Sequence, residues 1–111
     1  MPRRGWRLRV EDILEAIAAI ESYVQGLTFE EFQTDRRTVD AVVRNLEIIG
    51  EAVRHLLAGQ DDLPAEIPWA DIADMRNILI HEYFGVSLSI VWQTVSGDLP
   101  TLRSALERFL Q

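Results

Sequence analysis

Apolar residues recur along this chain at steps of three and four, the period of a helix with one buried face. Val10, Ile13, Leu14, Ile17, Ile20, Val24 and Leu27 form the first such stripe, and Gly26 stands where that helix should stop. Thr28 and Glu31 have the spacing of a capping box, which predicts a short second helix over Phe29–Thr34. A third helix is expected from about Arg36 to Ala58, ended by Gly59. At about 100° per residue, Val39, Val42, Val43, Leu46, Ile49, Gly50, Val53 and Leu57 share its broad inner face. Asp40, Arg44, Glu47, Glu51 and His55 lie opposite. Between the two runs a stripe of Ala41, Asn45, Ile48 and Ala52, too apolar for a fully solvated face, which predicts contact with a second partner.

Pro64 and Pro68 break the chain after Gln60, and a fourth helix is expected from near Trp69 to Phe84, ended by Gly85. Ser87 is the expected cap of a fifth, Leu88–Val95. Gly97-Asp98-Leu99-Pro100 should break or kink the chain before a last helical segment, Thr101–Leu110. Strand alternation is absent. The expected fold class is all-α, an up-down bundle of four to five helices, with residues 1–111 as one domain.

Composition narrows the function classes. Cysteine is absent, which removes disulfides, thiolate zinc sites and cysteine nucleophiles. No apolar run reaches the roughly 18 residues that span a bilayer, and the basic opening, Met1 to Arg7, leads into an amphipathic segment rather than a secretion signal's apolar stretch. The cytoplasm is therefore the expected compartment. Net charge is −7, and all 11 basic residues are arginine. Such a chain does not coat nucleic acid nonspecifically, although a local arginine cluster is compatible with acting on it. Arg3, Arg4, Arg7 and Arg9 are the one dense basic run; a solvated tail is the simpler reading and phosphate contact the other.

Candidate chemistry gathers in Arg76-Asn77-Ile78-Leu79-Ile80-His81-Glu82-Tyr83. Asp74, Asn77 and His81 share one stripe of the expected helix, and Arg76 and Tyr83 share another. Arg76 and His81 are five apart, so an ideal helix turns them about 140° from each other. Either the helix end unwinds at His81, or the two work in a cleft completed by a second copy of the chain. An imidazole titrating near neutrality can take a proton from a ribose 2′-OH or return one to a leaving 5′-oxygen. A guanidinium presents a planar cationic fork to phosphate. Asn77, one turn before His81, can fix the imidazole tautomer or hold a phosphate oxygen. On spacing alone, a capping histidine and a surface arginine remain the simpler account.

The string Met75-Arg76-Asn77-Ile78-Leu79-Ile80-His81-Glu82-Tyr83-Phe84-Gly85 resembles the R-x4-H-x-Y motif of HepT-like toxins, a branch of the HEPN-domain ribonucleases. Arg44 to Ala52 resembles the family's third-helix signature, and Ile67-Pro68-Trp69, Ile90 to Val95 and Asp98-Leu99-Pro100 resemble further family strings. The resemblance covers nearly the whole chain. It implies a HEPN-like helical homodimer with two R-x4-H motifs facing a shared cleft, lined by Arg44 and Glu47. It implies metal-independent endonucleolytic RNA cleavage, with tRNA among the substrates, by a toxin of a type II-like toxin–antitoxin system. Arg76, His81 and Asn77 would be its catalytic residues. The implied partner is a minimal nucleotidyltransferase antitoxin (MntA type), which would transfer AMP to Tyr83 and place bulk and negative charge in the cleft. Glu82 departs from the family, where a small residue is common; a carboxylate there would repel phosphate.

No cofactor or metal is expected. Glu47 and Glu51 could suggest a di-iron bundle, but the Glu-x-x-His pairs such sites need are absent, and a salt-bridged face with Arg44 is the better reading. His55 is expected to pair with Glu51, and Trp6, Trp69 and Trp92 to anchor core or interface rather than stack bases. The alternative function is a non-catalytic nucleotide-binding or partner module for a minimal nucleotidyltransferase. A structural dimer with a merely capping polar helix end ranks third.

Overall fold

The computed structural model describes residues 2–59, 63, 65, 67–74 and 87–111, with side chains from Trp6 onward. Among these residues there is no strand. Helix α1 runs Pro2–Val24, α2 Phe29–Thr34 and α3 Arg36–Gly59. A fourth helix, α4, begins at residue 69 and is described through residue 74. Helix α5 is Leu88–Gln93, and Thr94–Asp98 forms a π-helical turn that leads into α6, Leu99–Leu110. The expected end of α4 at Gly85 lies outside the described residues.

Local chemistry accounts for the boundaries. Gly26 has φ +79°, the left-handed conformation that lets the chain leave α1 without strain. The capping box is complete: Glu31 N–H donates to Thr28 Oγ1 at 3.2 Å, and Thr28 N–H donates to Glu31 Oε1 at 2.9 Å. Asp35 caps α3, accepting from Thr38 N–H at 3.1 Å and from the Thr38 hydroxyl at 2.7 Å. Those hydrogen bonds favour the carboxylate and hold its pKa below the ordinary value. Ser87 Oγ accepts from Ile90 N–H at 3.4 Å at the start of α5.

At the junction of α5 and α6, of the two expected outcomes, a break or a kink, the break does not occur. Gly97 and Pro100 end no helix there; the chain stays helical through the π turn, and the Leu99 N–H reaches back to the Thr94 carbonyl. Pro100 falls in the first turn of α6, and because the chain before it is already helical, its missing N–H leaves a carbonyl of the preceding turn without an intrahelical donor. One extra residue is absorbed as a wider turn instead of a break.

Helix α1 packs mainly against α3 and also against α6, while α2 sits between α3 and α5. Val10, Ile13, Ile17 and Ile20 of α1 are fully buried, as are Val42, Leu46, Ile49 and Val53 of α3. Phe32 and Leu106 complete this core from α2 and α6. Each such side chain contributes roughly 1.5–3 kcal/mol of transfer free energy. On α3 the buried row continues to Leu56 rather than to the expected Leu57, which is 43% exposed. The helix thus keeps an alternating three- and four-residue step to its last turn. Gly50 is buried on the inner face, as its position implied.

The three tryptophans anchor packing. Trp69 is buried, Trp92 lies 5.0 Å from the Phe32 ring, and Trp6 stacks on Phe109 at 4.8 Å. At the other end of the α1–α6 contact, Arg103 Nη1 donates to both Glu21 oxygens at 2.6 and 2.7 Å. The pair is partly exposed, so it fixes the helices' alignment more than it stabilises them.

Two outcomes test this account. Leu46→Ala should cost about 2–5 kcal/mol, read as a lower urea midpoint with an unchanged slope. Because Asp35 has a depressed native pKa, its contribution is present above the unfolded value and is lost as pH falls through the native one. Asp35→Asn, which keeps a capping oxygen but no titrating group, should therefore lose less stability on acidification than the parent, measured by urea unfolding across that range.

Candidate functional site

Arg76, Asn77, His81 and Tyr83, with Glu82 beside them, lie outside the described residues. What the structure does show is the anchoring of the turn from which that segment follows. Ile67, Trp69 and Ala73 are buried in the core. Trp69 N–H donates to the Ile67 carbonyl at 2.8 Å, and Ile72 N–H donates to the Pro68 carbonyl at 3.1 Å. Asp74, the last described residue of α4, is exposed.

Arg44 and Glu47 are fully placed. They form an i,i+3 ion pair at 3.5 Å on α3, with the arginine side chain 70% and the glutamate 22% exposed. Both line a groove of about 470 Å³ between α1 and α3. Alanines form much of its floor: Ala16 and Ala19 from α1, Ala52 from α3, with Ile48 beside them. Small side chains on both helices leave this space on the side away from the main core. The expected apolar stripe on α3 therefore has α1 as part of its partner, and the rest of the stripe opens into the groove. Asn45 donates to the Ala41 carbonyl at 2.9 Å within the same helix.

Charge decides what this groove suits. Arg9 and Arg44 face Asp12, Glu15, Glu47 and Glu51 along its walls. With twice as many carboxylates as guanidinium groups, the described part repels a polyanion and favours another protein surface. Glu51 is engaged further out by Arg54 at 3.5 Å and by His55 Nε2 at 3.4 Å, the pairing expected of that histidine.

Sequence reasoning missed a second cavity. About 420 Å³ lies between the start of α4, the π turn and α6, walled by Ile67, Ile72, Leu99, Leu102 and Ala105. Asp71, Asp98 and Arg108 also line it. The wide turn at Thr94–Asp98 helps form this wall. A motif search finds no such turn, because the only sequence signal is Gly97 and Pro100 inside an otherwise helical pattern.

Among known proteins, the family model described as Ribonuclease HepT-like matches residues 13–109, a span that includes the second half of α1, all of α3 and the whole of Arg76–Tyr83. The chain belongs to that family. This makes ribonuclease its enzyme class. A protein of Thermococcus cleftensis named as a probable ribonuclease HepT is 43% identical over 106 residues, covering 96% of each chain. A protein of Caldanaerobacter subterraneus subsp. tengcongensis, described as a candidate RNase, is 41% identical over 92% of this chain and 91% of its own. Another candidate RNase, from Methanocaldococcus jannaschii, is 36% identical over all of this chain and 92% of its own. No solved structure matches the chain. Among the described residues, no helix of this HepT-like protein is long and apolar enough to cross a membrane.

Proposed function

We propose that this HepT-like chain is the toxin of a toxin–antitoxin pair, a cytoplasmic homodimer that cleaves RNA without a metal ion at the Arg76–His81 motif. The observation that carries the reading is the uninterrupted R-x4-H-x-Y string lying within the family match. In this reading residues 1–111 form one domain and tRNA is among the substrates. His81 takes the proton from a ribose 2′-OH, the 2′-oxygen attacks the adjacent phosphorus, and the 5′-oxygen leaves with a returned proton. The products are a 2′,3′-cyclic phosphate and a 5′-hydroxyl. Arg76 holds the charge that builds on the phosphoryl oxygens, and Asn77 positions the imidazole.

Two physical points support the dimer. The roughly 140° that separate residues 76 and 81 on an ideal helix are reconciled when a second copy completes the cleft. The alanine-floored α1–α3 groove offers a protein-facing surface next to Arg44 and Glu47. The partner is a minimal nucleotidyltransferase antitoxin that moves AMP from ATP to the Tyr83 hydroxyl, releasing pyrophosphate. The phosphodiester so formed adds a negative charge where the substrate's phosphate must sit. A non-catalytic nucleotide-binding or partner module for a minimal nucleotidyltransferase is the second reading, its partner role favoured by the net charge of −7, which suits a protein surface better than RNA.

Incubation of the purified protein with tRNA in EDTA separates the two. Cleavage with cyclic-phosphate ends is expected, falling by about 10²–10⁴ in His81→Ala and by about 10²–10³ in Arg76→Ala. Intact RNA, or cleavage by both variants at the parent's rate, overturns the ribonuclease reading. For the dimer, sedimentation should show Ile48→Glu as a monomer and the parent at twice its mass; a dimer unaffected by this charge removes the groove from the interface.

A further inference from the structure

The outer side of α3 carries a pattern that complements itself when reversed. Ala41, Asn45, Ile48 and Ala52 follow at steps of four, three and four, the spacing of a seam between two packed helices. Within the single chain Ala41, Asn45 and Ile48 are only half-buried, and Ile48 and Ala52 face the α1–α3 groove. Turned end for end about the middle of this stretch, Ala41 falls opposite Ala52 and Asn45 opposite Ile48. Arg44 and Glu51 border the seam on one edge, about two helical turns apart. The same reversal brings Arg44 opposite Glu51, and Asp40 opposite His55.

The groove's surplus of carboxylates suits a cationic surface of any kind. The reversed order of charge on α3 suits a copy of α3 itself. Two such helices laid parallel and in register place Arg44 beside Arg44 and Glu51 beside Glu51. An antiparallel pair slipped by two turns in either direction sets Arg44 against Arg44, or Glu51 against Glu51. Among these arrangements, only the antiparallel register centred on the stretch opposes unlike charges at both ends, and like-charge contact is penalised in the others. Small side chains at Ala41 and Ala52 let two helices approach closely. Asn45, a polar residue in the seam, is of the kind that fixes register in packed helices. The contacts given up are weak: Arg44–Glu47 and Glu51–Arg54 are each 3.5 Å, within one helix and open to solvent.

We propose that a second copy of this chain fills the groove with its α3 antiparallel to the first, Arg44 of each copy pairing with Glu51 of the partner subunit across a two-fold axis. This inference rests on the homodimer reading and deepens it, since it names the helix, the register and the charges that select a like chain. A contact of this symmetry closes on itself, so it yields a dimer and not an open filament.

Sedimentation equilibrium of the full chain at low salt, where exposed charges are least screened, tests the pairing. Arg44→Glu and Glu51→Arg each set like charges against each other across the axis. Each alone should raise the dimer dissociation constant about tenfold or more. Mixed in equal amounts, the two variants should return to within about threefold of the parent. Native mass spectrometry of that mixture should show the mixed dimer in excess over either homodimer, because each chain supplies the charge the other lacks. Arg108→Glu, an equal change of charge on α6, should leave the constant within about twofold. Thermal unfolding of each variant confirms that it is folded. Parent-like association of either reversal alone, or weak association of the mixture, overturns this register. A dimer lost in Ile48→Glu but untouched by both reversals keeps the homodimer reading and removes this one, whereas a monomeric parent overturns both. Cleavage of tRNA in EDTA is read separately from all of these.

Discussion

The close lateral packing of α1 on α3 is the constraint from which the rest of the molecule follows. Both helices place branched aliphatic residues on one side, and the fully buried row of Ile13, Ile17, Ile20, Leu46, Ile49 and Val53 fixes their mutual rotation. Rotating either helix by one residue, about 100°, would expose most of that row. With the core side fixed, the opposite side is fixed as well: Ala16, Ala19 and Ala52 fall where the two helices part, and the groove opens there. The groove is thus a consequence of how the core is filled.

Electrostatics add a second layer to the same frame. Acids line the groove, while the arginine-rich run at the start of α1 meets α6 at the Trp6–Phe109 stack. The ion pairs along α3, Arg36–Asp40, Arg44–Glu47 and Arg54–Glu51, are exposed and local to one helix. Each contributes little to stability. Their effect is to keep cationic groups on α3 next to carboxylates, which lowers the attraction of that face for a polyanion. In the sequence, the longest stretch that carries arginines and no acid is the first ten residues, with four.

Helix positions were legible from spacing because one-sided burial writes a three- and four-residue period directly into the chain. The boundaries were legible where a cap has a chemical signature, as with Thr28–Glu31, Gly26 and Ser87. Two features were not. Leu56 and Leu57 are equally apolar neighbours, and only the final rotation of α3 decides which one is buried. The π turn was hidden because Gly97 and Pro100 normally end helices, whereas here the wider turn let the helix continue. Of the candidate site, the Arg44–Glu47 pair and the groove stripe were visible as helix-face chemistry. The cavity beside the π turn was not, since its walls bring together Ile49 of α3, the start of α4 and the continuous stretch from Thr94 to Arg108.

An acidic protein that acts on RNA faces a particular balance. Broad repulsion suppresses nonspecific association, so RNA is retained only where a few guanidinium groups outweigh the surrounding carboxylates. On the proposed reading the place that matters is Arg76 in the motif. Function then depends on very few charges, and that makes it easy to switch off. Each added phosphodiester at Tyr83 would offset one unit of a small local positive charge, in surroundings already negative by 7. In a strongly basic nuclease the same modification would be a minor perturbation, and bulk alone would have to exclude the substrate. On the proposed reading, the acidity of this chain is thus not an obstacle to RNA cleavage but the condition under which a single tyrosine modification would control it.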